Sequence, residues 1–285
     1  MKNILVTGGA GFVGSHLCEE LSKNSLYKVT SLDNYSSGSK KNHIKGVTYL
    51  KGDCKEISSL INEKVDLIYH LGEYSRVEQS FDDIEKVWDF NVSSILEVLK
   101  FSKQNNAKII YSGSSTKFTK NETGKKLSPY AFSKAMNTEM VKNYASWYGL
   151  EFAITYFYNV YGGREIRTGS YATVIGIFCD KYLKSEPLTV VKPGTQKRNF
   201  THIDDIVSAL ILIGKDGTGD NYGIGSKQSY SLMEVAEIFG SEVKMLPERK
   251  GNRLDAELLT DKTESLGWKP RNNLESFILN FKNSH

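Results

Sequence analysis

The apolar and polar residues of the chain follow two alternating patterns. Short runs rich in β-branched residues, typical of buried parallel strands, are separated by longer segments with helical spacing of apolar residues. Strands are predicted at residues 4–7, 28–32, 47–50, 67–71, 108–112 and 152–156. Helices are predicted at residues 11–22, 85–104 and 129–148. This alternation predicts an α/β fold built on a doubly wound parallel sheet.

The regular alternation ends near Tyr161, where segments richer in glycine and proline begin. A helix predicted at residues 204–214 and a strand at 221–224 return to the sheet. The sequence therefore predicts two interleaved lobes. Residues 1–165, with about 204–225, would form a nucleotide-binding domain, and residues 166–203 and 226–285 a smaller C-terminal substrate-binding lobe.

Composition and charge exclude several classes of function. The chain has 285 residues and a net charge of +4, with its basic residues spread among acidic ones, so neither a nucleic-acid nor a membrane partner is expected. Cys18, Cys54 and Cys179 lie far apart, which argues against a metal site and a disulfide framework. The N-terminus does not have the pattern of a signal peptide, and no apolar run could span a bilayer, so a cytoplasmic location is expected.

A glycine-rich segment follows the first predicted strand. Gly9, Gly11 and Gly14 satisfy the pattern G-x-G-x-x-G at a strand-to-helix turn. Glycine lets the backbone approach a diphosphate, whose charge then lies at the positive N-terminus of the helix. The segment predicts a Rossmann dinucleotide site, and the alternative is an ordinary glycine-rich turn.

Acidic residues follow the second and third predicted strands. Asp33 lies about 20 residues beyond the glycine motif, where a carboxylate accepts hydrogen bonds from ribose hydroxyls and repels the 2′-phosphate of NADP. We therefore predict NAD as the cofactor, although Lys40 and Lys41 lie a little downstream and leave NADP open. Asp53 is placed to meet the adenine amino group, or else it forms a turn.

Tyr130 and Lys134 lie four residues apart on a predicted helix that Ser128 can cap, so their side chains share one face. A nearby ammonium favours the phenolate form of tyrosine, which makes it a usable general base. Such pairs are common on helix surfaces and are weak evidence alone. Ser114 lies at the carboxyl end of the fifth predicted strand, the edge where open α/β sheets bind ligands, and this favours a catalytic triad.

Together these motifs resemble the extended short-chain dehydrogenase/reductase family. Within it the chain is similar to the NAD-dependent epimerase/dehydratase group that includes the UDP-glucose 4-epimerases. The resemblance covers nearly the whole chain. It rests on the glycine motif, on Ser114…Tyr130-x-x-x-Lys134, on His70 and Asn91, and on residues 159–162, 196–205 and 266–270.

The resemblance implies a role for each matching residue. Tyr130 would take the proton of a sugar hydroxyl, Lys134 would bind the nicotinamide ribose, and Ser114 would orient the hydroxyl. The implied NAD contacts are Gly8, Gly11, Phe12, Val13, Gly14, Asp33, Asn34, Asp53, Cys54, Leu71, Gly72, Tyr130 and Lys134. The implied contacts to a nucleoside-diphosphate sugar are Ser114, Ser115, Thr116, Asn159, Arg198 and Arg249. The family also commonly forms homodimers through the helices predicted at 85–104 and 129–148.

The residues after Ser114 indicate the reaction. Dehydratases of the family carry Asp-Glu there and decarboxylases a Glu, whereas this chain has Ser115 and Thr116, as in the 4-epimerases. The implied function is NAD-dependent oxidation at C4 of a nucleoside-diphosphate sugar by a nucleotide-sugar 4-epimerase. A net C4 dehydrogenase that releases the keto sugar is the alternative, and a non-catalytic NAD-binding protein is a further one.

The loop after the fourth predicted strand departs from the family pattern. It carries acids and an arginine where the family usually keeps small residues. Arg76 and Glu78 could pair with each other for structural reasons. Glu73 and Tyr74 could instead face the cofactor or the sugar.

Overall fold

The computed structural model describes residues 1–118, 124, 126–248 and 257–285. Its strands are β1 (Lys2–Thr7), β2 (Tyr27–Asp33), β3 (Thr48–Lys51), β4 (Leu67–His70), β5 (Lys108–Ser114), β6 (Phe152–Phe157), β7 (Val160–Tyr161), β8 (Leu188–Val191), β9 (Lys197–Asn199), β10 (Thr201–His202), β11 (Gly219–Ile224), β12 (Ser229–Ser231) and β13 (Val243–Leu246). Its α-helices are α1 (Phe12–Ser22), α2 (Ile57–Leu60), α3 (Ile84–Val87), α4 (Ser94–Asn105), α5 (Pro129–Tyr148), α6 (Val174–Leu183), α7 (Ile203–Asp216), α8 (Leu232–Phe239), α9 (Asp261–Glu264) and α10 (Leu274–Asn283).

Seven strands form one parallel sheet in the order β11-β6-β5-β4-β1-β2-β3. The chain runs outward from β1 to β3 and then crosses back to β4 on the other side of β1. The sheet therefore has a switch point between β1 and β4, where Thr7 pairs in register with His70. Doubly wound sheets bind ligands outside the carboxyl ends of the strands at such a point. The predicted Rossmann fold class is confirmed.

Helices cover both faces of the sheet. Because successive residues of a strand point to opposite faces, Val6 packs with α1 and α7, whereas the preceding Leu5 packs with α4 and α5. Both side chains are fully buried. Burial on both faces explains why the strands read as continuous apolar runs in the sequence.

A third buried cluster lies outside the sheet and is formed by α6, β8, α8 and α10, with Phe178 and Phe239 among its members. The sequence prediction assigns residues 226–285 to this lobe. Within that range Trp268 packs with α1 and α7, and its Nε1 donates to Asp205 O at 3.0 Å. The C-terminal part of the chain thus contacts the sheet layer before it returns to the lobe in α10. Among the described helices, none combines the length and the apolar character needed to cross a membrane.

The helix predicted at residues 85–104 is helical throughout, but its middle is not an α-helix. A π-helical segment, Trp88–Ser93, separates α3 from α4. Within it the buried side chain of Asn91 accepts a hydrogen bond from Tyr74 N at 2.7 Å and donates one to Ser133 Oγ at 2.9 Å. Apolar spacing does not reveal this widened turn, because its inward-facing residue is polar. Segments of this kind often lie beside functional sites.

Candidate active site

A cavity of about 480 Å³ lies at the carboxyl ends of the strands, over the switch point. Its walls come from the turns after β1, β2 and β4, the end of β5, the start of α5, and residues 171–175 of the second lobe. Every residue predicted to contact NAD is among the lining residues. The cavity therefore collects side chains and backbone from segments that are far apart in sequence.

The glycine-rich turn after β1 fits the phosphates of a dinucleotide. Gly8 has a φ of +72°, and a Cβ at Gly14 would lie 2.1 Å from Gly8 O. The cap residue of α1, Gly11, makes no side-chain hydrogen bond to the first turn of the helix. The N–H groups of that turn are therefore available to an anion, which the helix dipole also attracts.

Asp33 is held at the cavity wall by backbone groups. Its carboxylate accepts hydrogen bonds from Ala10 N at 2.9 Å and from Tyr35 N at 2.7 Å, and burial raises the pKa of the carboxyl group. The lone pairs that remain can accept bonds from a ribose. Asp53 lines the cavity and also caps the short 3₁₀ turn that follows it, while its contact with the adenine stays a prediction.

Tyr130 and Lys134 lie in the first turns of α5, which has the predicted bounds and is capped by the side chain of Ser128. Both residues line the cavity. Ser114 ends β5 and lines it as well, and its Oγ accepts hydrogen bonds from Thr116 N at 3.3 Å and Thr116 Oγ1 at 2.9 Å. Thr116 is not among the lining residues, and its predicted contact with the sugar stays a prediction.

Glu73 is buried directly beside Lys134, with a side chain that is 2% exposed. One carboxylate oxygen accepts from Lys134 Nζ and from Tyr111 OH at 3.0 Å, and the other from Asn137 Nδ2 at 2.8 Å. Burial alone would raise the pKa of Glu73, but Lys134, together with His70, holds that pKa at about 2. Glu73 is therefore ionised at neutral pH and forms an internal ion pair with the lysine of the predicted triad.

The sequence alternative for Glu73 and Tyr74 is resolved by these contacts. Glu73 lines the cavity, but both of its oxygens are engaged by protein groups, whereas Tyr74 is not among the lining residues and donates to Asp83 Oδ2 at 3.0 Å. The ion pair between Glu73 and Lys134 was not predicted from the sequence. The available signal was an acid directly after Gly72 at the end of a buried strand, but its partner on α5 could not be identified from spacing.

The predicted sugar contacts are less closely grouped. Ser115 and Asn159 line the cavity, and Asn159 Nδ2 donates to Asn199 O at 3.1 Å. Arg198 lies on β9 and is not among the lining residues, while Arg249 falls outside the described part of the chain. The roles of these residues stay predictions.

Comparison with known proteins identifies the family. The model of the NAD-dependent epimerase/dehydratase family matches residues 4–225. The chain belongs to this family. A putative UDP-glucose 4-epimerase of Methanocaldococcus jannaschii is 32% identical over 96% of this chain and 95% of that protein. UDP-glucuronic acid decarboxylase 6 of Arabidopsis thaliana is 30% identical, covering 94% of this chain and 84% of that protein. The crystal structure of UDP-glucose 4-epimerase with UDP-glucose from Thermotoga maritima gives a TM-score of 0.91 at 27% identity, covering 99% of both chains.

This epimerase/dehydratase is thus an NAD-dependent enzyme of the extended short-chain dehydrogenase type, as predicted. The turn at Gly8, the N-terminus of α1 and the carboxylate of Asp33 suit the cofactor, because they offer a close backbone approach, free N–H donors and ribose acceptors. Within the described residues no cluster of three or more His, Cys, Asp or Glu side chains could hold a metal ion.

Proposed function

We propose that this enzyme oxidises the C4 hydroxyl of a nucleoside-diphosphate sugar and returns the hydride to the opposite face, as a nucleotide-sugar 4-epimerase. The observation that carries the proposal is the placement of Ser114, Tyr130 and Lys134 on one cavity at the carboxyl edge of the sheet. The relatives named as UDP-glucose 4-epimerases support the same reaction.

Each of the three residues has a distinct part in the proposed step. Ser114 Oγ accepts both of its bonds from Thr116, so its own proton is left to donate to the substrate oxygen. Tyr130 removes the proton of the C4 hydroxyl, and Lys134, one turn further along α5, binds the nicotinamide ribose. Bound NAD supplies the hydride acceptor.

The charged groups of the cavity favour epimerisation over dehydration or decarboxylation. The carboxylates among its described lining residues are Asp33, Asp53 and Glu73. Asp33 ends β2 and Asp53 follows β3, whereas Ser114 ends β5, and Glu73 is ionised and paired with Lys134. None of the three is placed as a proton donor beside Ser114, which a step that eliminates water would need.

The test is turnover of a panel of UDP-, dTDP- and GDP-sugars with NAD, followed by NMR of the sugar and by absorbance of NADH. A C4 epimer is the expected product. Accumulation of a keto sugar with stoichiometric NADH would instead identify a net C4 dehydrogenase. Tyr130→Phe should lower turnover by about 10²–10⁴-fold while the melting temperature is retained, and full turnover by this variant would contradict the proposed base.

We also propose that the enzyme is a homodimer that pairs through α3, α4 and α5. Large apolar side chains are exposed on the segment from α3 to α5, including Trp88 (45%), Phe132 (47%) and Trp147 (67%). Because α5 packs against α3 and α4, these groups belong to neighbouring helices, and clustered exposed apolar groups mark an interface. Light scattering should report twice the 32.0 kDa chain mass. Trp147→Glu should give monomer, whereas Leu279→Glu on α10 should not, and a monomeric native chain would contradict the proposal.

A further inference from the structure

The charges of the described cavity-lining residues are not fully balanced. Among the described residues, the charged side chains of its lining are those of Asp33, Asp53, Glu73, Arg76 and Lys134. Asp33 and Asp53 belong to the end where β2 and β3 finish. At the other end Glu73 and Lys134 neutralise each other. Of the described lining residues, Arg76 therefore leaves one positive charge at the end of the cavity that carries the triad.

Within the described part of the chain, the contacts of Arg76 are with neutral groups. Its Nη2 donates to Tyr171 O, its Nη1 lies 3.4 Å from Ser75 O, and the guanidinium carbon lies 5.6 Å from the centre of the Tyr171 ring. Its Nε is buried without a hydrogen-bond partner. The pairing with Glu78 considered from the sequence is not made. Burial lowers the pKa of Arg76, because carbonyl oxygens and a ring replace its hydration incompletely.

A cation buried in this way is stabilised when an anion enters the cavity. A guanidinium is particularly suited to a carboxylate, since its planar N–H groups match the two oxygens. Arg76 lies three residues after Glu73, which pairs with Lys134 one turn of α5 beyond Tyr130, so it belongs to the same end of the cavity as the residue proposed to act at C4. The anion would therefore be close to C4 of the sugar.

We propose that Arg76 binds a carboxylate carried by the sugar, so that the preferred substrate is a nucleoside-diphosphate hexuronate. This inference rests on the proposed function. In a hexuronate the carboxylate is attached to C5, the carbon next to C4, which agrees with a guanidinium near Tyr130. A phosphate of the nucleotide is the other anion in such a substrate, but it is separated from C4 by the sugar ring.

The test compares UDP-glucuronate with UDP-glucose, which differ at C6 alone. Binding is measured by calorimetry to NAD-loaded Tyr130→Phe protein, so that neither sugar is turned over. UDP-glucuronate should bind about 10–100-fold more tightly than UDP-glucose. Adding Arg76→Gln should remove this preference, because it weakens the binding of UDP-glucuronate. Adding Arg76→Lys should retain part of the preference, because the positive charge remains.

Arg164→Gln is the matched control, because Arg164 pairs with Glu19 and is not among the cavity-lining residues. It should leave the preference unchanged, and melting curves confirm that each variant is folded. Equal affinity for the two sugars, or an equal loss for both in Arg76→Gln, overturns the inference while the proposed function stands. If neither UDP-sugar binds, the comparison is repeated with the dTDP- and GDP-linked pairs, and failure of every pair to bind overturns both the inference and the proposed function. Weakening of UDP-glucose alone would assign Arg76 to another part of the substrate and also overturns the inference.

Discussion

The carboxylate of Glu73 and the ammonium of Lys134 form a buried ion pair across 61 positions of sequence. Their side chains are 2% and 6% exposed. Lys134 also donates to Ser112 O at 2.6 Å, so its ammonium is held by one carboxylate and one carbonyl. The lysine that the family resemblance assigns to catalysis is thus anchored by a charge of opposite sign, and this has a consequence for stability.

Glu73→Gln should destabilise the fold by about 3–5 kcal/mol, because it leaves the ammonium of Lys134 buried without a counter-charge. Urea unfolding at neutral pH measures this loss. The control is Glu63→Gln, which breaks the exposed pair with Lys28 and should cost less than about 1 kcal/mol. Similar small losses in the two variants would show that the buried pair adds little.

Glu165 should make stability depend on pH. Burial raises its pKa to about 7, against an ordinary value of 4.5, and its carboxyl group accepts a bond from Thr173 Oγ1. The folded state binds this proton more tightly than the unfolded state does. The protonated carboxyl group therefore adds its full contribution to the free energy of unfolding below about pH 4.5, and this contribution is lost as the pH rises through about 7. Between pH 5 and 8 the native protein should therefore lose about 2 kcal/mol more than Glu165→Gln. Parallel pH profiles of the two proteins would contradict the assignment.

Asp33 should determine the preference between the two cofactors. Asp33→Ser removes the negative charge that repels a 2′-phosphate, so the ratio of NADP to NAD affinity should rise by about tenfold or more. Calorimetry with each cofactor measures the ratio. Asp53→Asn is the control, because a residue near the adenine should change both affinities alike. An unchanged ratio in Asp33→Ser would place the ribose elsewhere.

Local signals in the sequence determined the bounds of some elements and the position of the cofactor-binding turn. The bounds of α5 were predicted because Ser128 caps it, Pro129 suits its first turn and Gly149, with a φ of +69°, ends it. The glycine turn and Asp33 were identified in the same way. Each of these signals acts over one or two turns of backbone, so its meaning does not depend on the rest of the fold.

The tertiary structure alone decided which distant residues meet. Nothing in the spacing of the chain pairs Glu73 with Lys134, inserts Asn91 between Tyr74 and Ser133, or sets Arg76 against Tyr171. These contacts depend on the order of strands in the sheet, which brings the turn after β4 beside α5 and the second lobe. Burial then sets their strength, because an ion pair or an unbalanced cation has a large effect only where water is excluded.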